Sequence, residues 1–179
     1  MKTIGDRLPT FQLAAVGPDT RPDAIPQLSS EELKGRWTVL FFWPKDFTFV
    51  CPTEILAFDE LYDEFADRDA VLLGASTDSD AVHIAWRRSR EDLGKVRYAW
   101  LSDIQRALAE DLGVLNRDAG VANRATFIVD PDGVIRYVSV NDLDVGRNPS
   151  EVLRVLDALQ TDELCPCNWQ PGQDTLVVS

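Results

Sequence analysis

The most constraining feature of the sequence is an apolar strand that leads through a short loop into a helix opened by a cysteine. The run Trp37–Phe42 predicts a strand that is buried on both faces. Cys51 stands directly before Pro52, and proline favours the first helical position because its missing N–H would be unpaired there. The apolar spacing that follows predicts a helix over residues 51–66, with Cys51 as N-cap and Glu54 at the third helical position.

A thiol at the start of a helix is suited to nucleophilic chemistry. Free amide N–H groups and the helix dipole stabilise an anion there, and the thiolate is the reactive form of cysteine. The alternative is a small apolar residue that ends a loop, since free cysteine is among the most buried residue types. The position of Cys51 alone supports both interpretations equally.

Composition and charge limit the class of protein. The chain has 179 residues, of which 45% are hydrophobic and 27% charged, as expected for one globular domain with a full core. Its net charge of −12 argues against nucleic acid or an anionic membrane as a partner. The sequence has no apolar run long enough for a membrane span and no signal-peptide pattern. We therefore expect a cytoplasmic protein.

The three cysteines are an odd number in such a chain, which favours reactive thiols over a structural disulfide framework. The only histidine is His83, and the cysteines lack C-x-x-C spacing, so no metal site is expected. The sequence also contains no glycine-rich phosphate loop for a nucleotide or flavin. Without a cofactor, the electrons for a redox reaction must come from another protein.

Predicted strands and helices alternate along most of the chain. The first thirty residues are loop-like, with a short apolar stretch at residues 11–13 that could pair at a sheet edge. The next predicted elements are a strand at 71–76, a helix opened by 78–80 with Val82, Ala85 and Trp86 on one side, and a strand at 98–101. They are followed by a helix at 104–111 capped by Asp103, a hairpin of strands at 125–129 and 134–138, and a helix from 149. This alternation predicts an α/β protein with a largely parallel sheet covered by helices.

Three residues of the loop carry a resemblance to a known family. Pro44, Thr48 and Cys51 stand in the pattern P-x-x-x-T-x-x-C, which resembles the active-site signature of the peroxiredoxins. Phe-Thr-Phe-Val-Cys-Pro-Thr-Glu is similar to the signature's typical two-cysteine form. The resemblance implies that Pro44 shields the thiolate from water and that the Thr48 hydroxyl contacts both sulfur and peroxide.

Peroxide reduction also needs a cation that stabilises charge as the O–O bond breaks. The segment Asn-Arg-Ala-Thr-Phe resembles the family's second active-site segment and makes Arg124 that cation; the alternative is a surface arginine. Glu54 is expected to pair with Arg124 or another arginine, and a plain helix-capping role is equally supported. His83 and Trp86 are expected to pack near the rim of the active site in a structural role.

The C-terminal part of the chain narrows the resemblance. Cys165, followed by proline, looks like the resolving cysteine of the two-cysteine peroxiredoxins. Together with Cys167 and the segment at 145–149, it resembles the alkyl hydroperoxide reductase C-subunits of actinobacterial type, from about residue 36 to 175. Cys167 is interpreted as a relay or alternative thiol, or as an incidental exposed cysteine.

The resemblance implies a thioredoxin-like fold, with a central mixed sheet flanked by helices, over residues 1–160 and a C-terminal arm at 161–179. It further implies an intersubunit Cys51–Cys165 disulfide in an antiparallel homodimer, with dimers assembled into a ring such as a decamer. The reductant would be thioredoxin or an alkylhydroperoxidase D-like protein.

The implied activity is the reduction of hydrogen peroxide and organic hydroperoxides through a sulfenic acid at Cys51, in antioxidant defence. A thioredoxin-like disulfide oxidoreductase is disfavoured because position 54 is Glu54 and not the second cysteine of a C-x-x-C pair. A redox-regulated chaperone or peroxide-sensing ring is the alternative function. The sequence lacks the family's Gly-Gly-Leu-Gly insertion and C-terminal Tyr-Phe helix, so resistance to excess peroxide is expected.

Overall fold

The computed structural model describes residues 1–177, so Val178 and Ser179, the last two residues of the predicted arm, lie outside the described residues. The strands are β1 (Gln12–Val16), β2 (Gln27–Ser29), β3 (Trp37–Phe42), β4 (Ala70–Ser76), β5 (Ala99–Ser102), β6 (Leu115–Asn116), β7 (Val121–Ala122), β8 (Arg124–Val129) and β9 (Ile135–Asn141). The helices are α1 (Cys51–Glu60), α2 (Tyr62–Asp67), α3 (Asp80–Ser89), α4 (Glu91–Gly94), α5 (Ala107–Leu112) and α6 (Pro149–Gln160). None of these helices is long and apolar enough to cross a membrane.

Seven of the strands form one mixed sheet in the order β2-β1-β5-β4-β3-β8-β9. Within the described chain, β4 pairs in parallel with β3 and β5, and the other four pairings of this sheet are antiparallel. The prediction of a largely parallel sheet was therefore wrong, because β1–β2 and β8–β9 add antiparallel strands at the two edges. A central mixed sheet flanked by helices, the predicted thioredoxin-like architecture, is confirmed.

Strand β3 is the centre of the core. Its side chains alternate between two hydrophobic clusters, with Val39, Phe41 and the following Trp43 on one face, and Leu40 and Phe42 on the other. All five side chains are completely buried. Because both faces of β3 are covered, the loop that leaves its C-terminal end starts from a fixed position.

The predicted helix over residues 51–66 is two helices. Leu61 leaves helical geometry (φ −97°, ψ 10°) and separates α1 from α2. The predicted helix at 104–111 begins three residues later, at Ala107, because Arg106 adopts a left-handed conformation with φ 61°. Asp103 nevertheless binds this helix, since its carboxylate accepts from the amides of Leu108 and Ala109 at 3.1 and 2.8 Å.

The side of α3 that carries Val82 and Ala85 is not its buried face. His83, Ile84, Trp86 and Arg87 are buried, whereas Val82 is only half-buried and Ala85 is exposed. A polar histidine and a charged arginine occupy the inner face because both have partners there. The Arg87 guanidinium lies over the Trp100 ring at 3.9 Å and donates to the carbonyl groups of Val96 and Tyr98.

Gly74 lies in the middle of β4, against the large side chain that ends the core of β3. A Cβ atom at this position would lie 2.5 Å from Cζ3 of Trp43 and 3.3 Å from the Tyr98 ring. Real Cβ atoms do not approach ring carbons at 2.5 Å, and neither fully buried ring has room to move. Glycine therefore allows the indole of Trp43 to sit directly on the sheet.

We predict that Gly74→Ala lowers the free energy of unfolding by about 1–3 kcal/mol, because it overpacks the core beneath Trp43. Urea unfolding followed by circular dichroism measures the change. Gly17→Ala is the matched control, since its added Cβ meets only Thr20 Oγ1 at 3.8 Å. Equal stability of the two variants would contradict the close approach of Trp43 to β4.

Candidate active site

Cys51 is the first residue of α1, and it is 1% exposed. The expectation that Cys51 is the N-cap was wrong by one residue, because Val50 already has helical geometry (φ −78°, ψ −42°) and is itself the N-cap. The Val50 carbonyl accepts from the amides of Thr53 and Glu54 at 3.0 and 3.4 Å. No side chain caps this helix, so Cys51 lies in a first turn whose amides have no side-chain acceptor.

Arg124 is the charged group in contact with the Cys51 sulfur. Antiparallel pairing of β8 with β3 sets Thr126 opposite Phe41, which brings the start of β8 beside the end of β3. Arg124 Nη1 lies 3.5 Å from Cys51 Sγ, and its Nε donates to the Leu143 carbonyl at 2.7 Å. The structure thus joins two residues that are 73 positions apart.

The guanidinium of Arg124 is held in its charged form. Burial lowers the pKa of Arg124, but the hydrogen bond to Cys51 and the charge of Glu54 outweigh this effect, so that the pKa is raised. The side chain of Arg124 is 4% exposed. A permanent cation therefore faces the sulfur in surroundings from which water is largely excluded.

Glu54 binds two arginines and does not cap the helix. Its Oε2 accepts from Arg124 Nη1 at 2.6 Å and from Arg147 Nη2 at 2.8 Å. Its Oε1 accepts from Nε and the backbone N–H of Arg147 at 2.8 and 3.0 Å. The sequence left open whether Glu54 pairs with an arginine or caps the helix, and in the structure it pairs with arginines. We call Glu54, Arg124 and Arg147 the charge cluster.

Arg147 was not predicted as a site residue. It lies in the segment before α6, its side chain is 2% exposed, and its Nη1 donates to the Ala125 carbonyl at 2.9 Å. It also lies over the Phe41 ring at 5.0 Å. The sequence signal was the segment at 145–149, which carries the family resemblance, but nothing in the local pattern assigns its arginine to Glu54.

The loop between β3 and α1 holds the other two predicted site residues. Pro44 is buried and Thr48 is half-buried. The Thr48 hydroxyl donates to the Lys45 carbonyl at 3.0 Å, within the same loop. Phe47 has a left-handed backbone with φ 55°, and Phe49 is 94% exposed. The loop therefore turns sharply immediately before Thr48.

His83 and Trp86 lie beneath this loop. Both are buried; His83 Nδ1 is 2.7 Å from Asp46 Oδ2, and the Trp86 ring packs against Phe47 at 5.9 Å between centroids. Asp46 was not predicted to matter. Within residues 1–177, no group of three or more histidine, cysteine or acidic side chains is arranged to hold a metal ion.

The two C-terminal cysteines lie after α6. Cys165 is half-buried, with its sulfur 3.5 Å from Thr161 Oγ1 and 3.8 Å from the Ala158 carbonyl, whereas Cys167 is exposed. Trp169 is 4% exposed, and its carbonyl accepts from Arg154 at 3.0 Å. All three cysteines of the chain are free thiols in this structure.

Comparisons with known proteins agree over nearly the whole chain. The AhpC/TSA family model matches residues 4–138, and a model of the C-terminal domain of 1-Cys peroxiredoxin matches residues 159–179. Alkyl hydroperoxide reductase C of Mycobacterium tuberculosis is 54% identical over 97% of this chain and 93% of its own length. The solved structure of Mycobacterium tuberculosis AhpC has a TM-score of 0.86 at 53% identity and covers 95% of this chain and 99% of that one. The reduced 2-Cys peroxiredoxin of Plasmodium vivax has a TM-score of 0.90 at 35% identity, over 98% of this chain and 93% of that one.

We predict that Glu54→Gln lowers the free energy of unfolding by about 3 kcal/mol, because it leaves two buried guanidinium groups without their shared carboxylate. Glu64→Gln is the matched control: Glu64 is 55% exposed and pairs with Arg68 at 2.8 Å. That exposed pair should contribute less than about 1 kcal/mol. Chemical denaturation of both variants makes the comparison, and similar losses would refute a special role for the charge cluster.

Proposed function

The chain belongs to the AhpC/TSA family of thiol peroxidases, and we propose that it reduces hydrogen peroxide and organic hydroperoxides through a sulfenic acid at Cys51. The observation that carries the proposal is the 3.5 Å contact between Arg124 Nη1 and Cys51 Sγ at the first turn of α1. A buried sulfur beside a permanent cation and at the N-terminal end of a helix is in a position where an anion is stabilised.

In the proposed reaction, the Cys51 thiolate attacks one peroxide oxygen. An electron pair moves from sulfur to that oxygen, the O–O bond breaks, and water or alcohol leaves after taking up a proton. The product at Cys51 is a sulfenic acid, in which the sulfur now carries the transferred oxygen. The substrate is therefore reduced by two electrons, which the protein must later recover from a reductant.

Four further side chains have proposed roles in this step. Arg124 stabilises charge on the sulfur and on the leaving oxygen. Pro44, which is buried at the start of the loop, shields the thiolate from bulk water. The Thr48 hydroxyl holds the peroxide in line with the sulfur, which requires that it exchange its present acceptor, the Lys45 carbonyl, for the substrate. Within the charge cluster, Glu54 orients Arg124.

The second half of the cycle is proposed to use the arm at residues 161–179, attached to the domain formed by residues 1–160. The Cys165 thiol of one chain condenses with the Cys51 sulfenic acid of its partner, so that an S–S bond forms and water leaves. Cys167 is exposed and passes the disulfide outward by thiol exchange. A thioredoxin or alkylhydroperoxidase D-like protein supplies the two electrons.

This pairing requires a homodimer. Strand β9 is an edge strand of the sheet, and edge strands present backbone groups to which a second chain can pair. Phe47 and Phe49 are 57% and 94% exposed on the loop, which provides apolar surface for contacts between dimers in a ring. A cytoplasmic location agrees with a cycle that needs reduced thiols.

We predict that one equivalent of hydrogen peroxide converts reduced protein to a disulfide-linked dimer. Mass spectrometry of the band on a non-reducing gel should identify a peptide that joins Cys51 to Cys165. Neither Cys51→Ser nor Cys165→Ser should form this band, and Cys167→Ser should form it but be reduced more slowly by the protein reductant.

Two other outcomes would change the assignment. A dimer that persists in Cys165→Ser would move the resolving role to Cys167. No peroxide-dependent change at Cys51 would contradict the peroxidase proposal. A redox-regulated chaperone or sensor ring would then be the better interpretation, testable by suppression of client aggregation in Cys51→Ser.

We also predict that turnover continues in excess peroxide, because the sequence lacks the Gly-Gly-Leu-Gly insertion that slows release of the arm in sensitive family members. Steady-state consumption of peroxide at increasing concentration measures this property. Loss of activity at low micromolar peroxide, with sulfinic acid found at Cys51, would falsify the prediction.

A further inference from the structure

A buried hydrogen-bonded group lies directly beneath the loop that carries Thr48. Trp43 Nε1 donates to Asp46 Oδ1 at 2.8 Å, and His83 Nδ1 lies 2.7 Å from Asp46 Oδ2. The side chains of Asp46 and His83 are both 0% exposed. We call Trp43, Asp46 and His83 the loop clamp. The loop clamp does not include Cys51, and it shares no residue with the charge cluster.

The loop clamp fixes both the side chain and the backbone of one loop residue. While the Asp46 carboxylate binds Trp43 and His83, the Asp46 backbone N–H donates to Asp78 Oδ2 at 2.8 Å. Asp78 is in turn held by the Ser76 hydroxyl at the end of β4. The position of Asp46 is thereby tied to two strands and one helix of the core.

The His83 ring has little freedom of its own. It packs against the rings of Trp43 and Trp100, with centroids 5.5 and 5.7 Å away. Its second nitrogen, Nε2, lies 3.3 Å from the Leu101 carbonyl. The imidazole is therefore oriented by contacts on its faces as well as at both nitrogens, and its Nδ1 remains directed at the loop.

Stability alone does not explain why a polar pair is buried here. Burial raises the pKa of Asp46, while the hydrogen bond and charge of His83 act in the opposite direction. The neighbouring Asp78 also raises this pKa. Replacement of a buried ionic pair by apolar residues of similar volume is often neutral or stabilising. The Asp46–His83 pair instead fixes the position of Asp46, and with it the conformation of the loop.

The loop clamp holds a strained backbone conformation between Asp46 and Thr48. Phe47 has a left-handed φ of 55°, which costs a bulky residue about 1–2 kcal/mol and persists only where the surrounding structure imposes it. On one side the loop clamp fixes Asp46, and on the other the Thr48 hydroxyl donates to the Lys45 carbonyl. The turn at Phe47 sets the direction in which Thr48 points.

We propose that Asp46 and His83 are positioning residues, which hold the loop so that the Thr48 hydroxyl lies where the peroxide binds. They act through Thr48 and do not contact the sulfur or the substrate. The inference rests on the proposed role of Thr48 in the peroxidase reaction. It assigns a function to the only histidine of the chain, which the reaction at Cys51 does not otherwise use.

Two rate constants distinguish positioning of the Thr48 hydroxyl from a general effect on the structure. The first is oxidation of Cys51 by hydrogen peroxide, measured by rapid mixing, which needs Thr48 in place. The second is alkylation of Cys51 by iodoacetamide, which needs the thiolate and access to it but not the Thr48 hydroxyl. We expect His83→Leu to slow oxidation about 10- to 100-fold, the effect of misplacing a positioned group by about 1 Å, and to change alkylation far less.

Matched variants sharpen the comparison. His83→Asn should keep most of the wild-type oxidation rate, because an amide side chain can hydrogen-bond to the Asp46 side chain in place of the imidazole. Asp46→Asn should repeat the defect. Asp103→Asn is the control, since Asp103 is likewise a buried carboxyl whose pKa burial raises, but it binds α5 instead of the loop. Its two rate constants should both stay close to those of the wild type.

A double-mutant cycle tests the route through Thr48. If the loop clamp acts through this hydroxyl, His83→Leu should add little to the defect of Thr48→Val. Additive losses, a parallel fall in alkylation, or an equal loss in Asp103→Asn would overturn the proposal. If His83→Leu does not fold, Asp46→Asn takes its place in the cycle. Wild-type Cys51 that fails to react with peroxide would instead contradict the peroxidase function itself.

Discussion

The active site depends on one buried carboxylate that is shared by two guanidinium groups. Glu54 carries one negative charge and its partners Arg124 and Arg147 carry two positive charges, so the charge cluster has an excess of one positive charge. All three side chains are 4% exposed or less, and an uncompensated charge in such surroundings is costly. This excess positive charge lies beside the Cys51 sulfur, which is 3.5 Å from Arg124 Nη1. In the proposed reaction, the charge cluster therefore faces the sulfur with the sign of charge that stabilises an anion.

That arrangement is a product of the whole fold and not of any one segment. Glu54 comes from α1, Arg124 from β8, and Arg147 from the segment before α6. They meet because β8 pairs with β3 in a register that sets Thr126 opposite Phe41. A shift of that register by one residue would turn Arg124 to the other face of the sheet. The two clusters of apolar residues that cover β3 therefore also protect the electrostatics of the site.

Sequence patterns predicted those parts of the site whose signal is local. The apolar run of β3, the start of α1 near Cys51 and the hairpin of β8 and β9 all follow from periodicity and turn residues within a few positions. The family resemblance added Arg124, and Arg124 does contact Cys51. By contrast, Arg147 and Asp46 bind partners 93 and 37 positions away, and no local spacing encodes such pairs.

The inner face of α3 is likewise set by distant partners. Helical periodicity placed the apolar residues Val82, Ala85 and Trp86 together on one side of this helix. The structure buries His83 and Arg87 on its inner face, because Asp46, Trp100 and backbone carbonyls supply their partners. A charged or polar side chain is buried when it is paired, and the pairing is decided by the tertiary structure. Of these two residues, Arg87 binds within the core, and His83 connects the core to the loop through Asp46.

Trp43 shows how the two polar groups of the site are joined. Its indole rests on Gly74 of β4, and its N–H binds Asp46, so the end of β3 continues directly into the loop clamp. The charge cluster lies against the same strand, where Arg147 covers Phe41. In the proposed reaction the cation comes from the charge cluster and the peroxide-binding hydroxyl from the loop. The charge cluster and the loop clamp both contact residues of β3 or the residue that follows it. The distance between the cation and the hydroxyl is therefore set by this one strand. The segment after α6, in contrast, contacts that helix, where Arg154 donates to the Trp169 carbonyl at 3.0 Å.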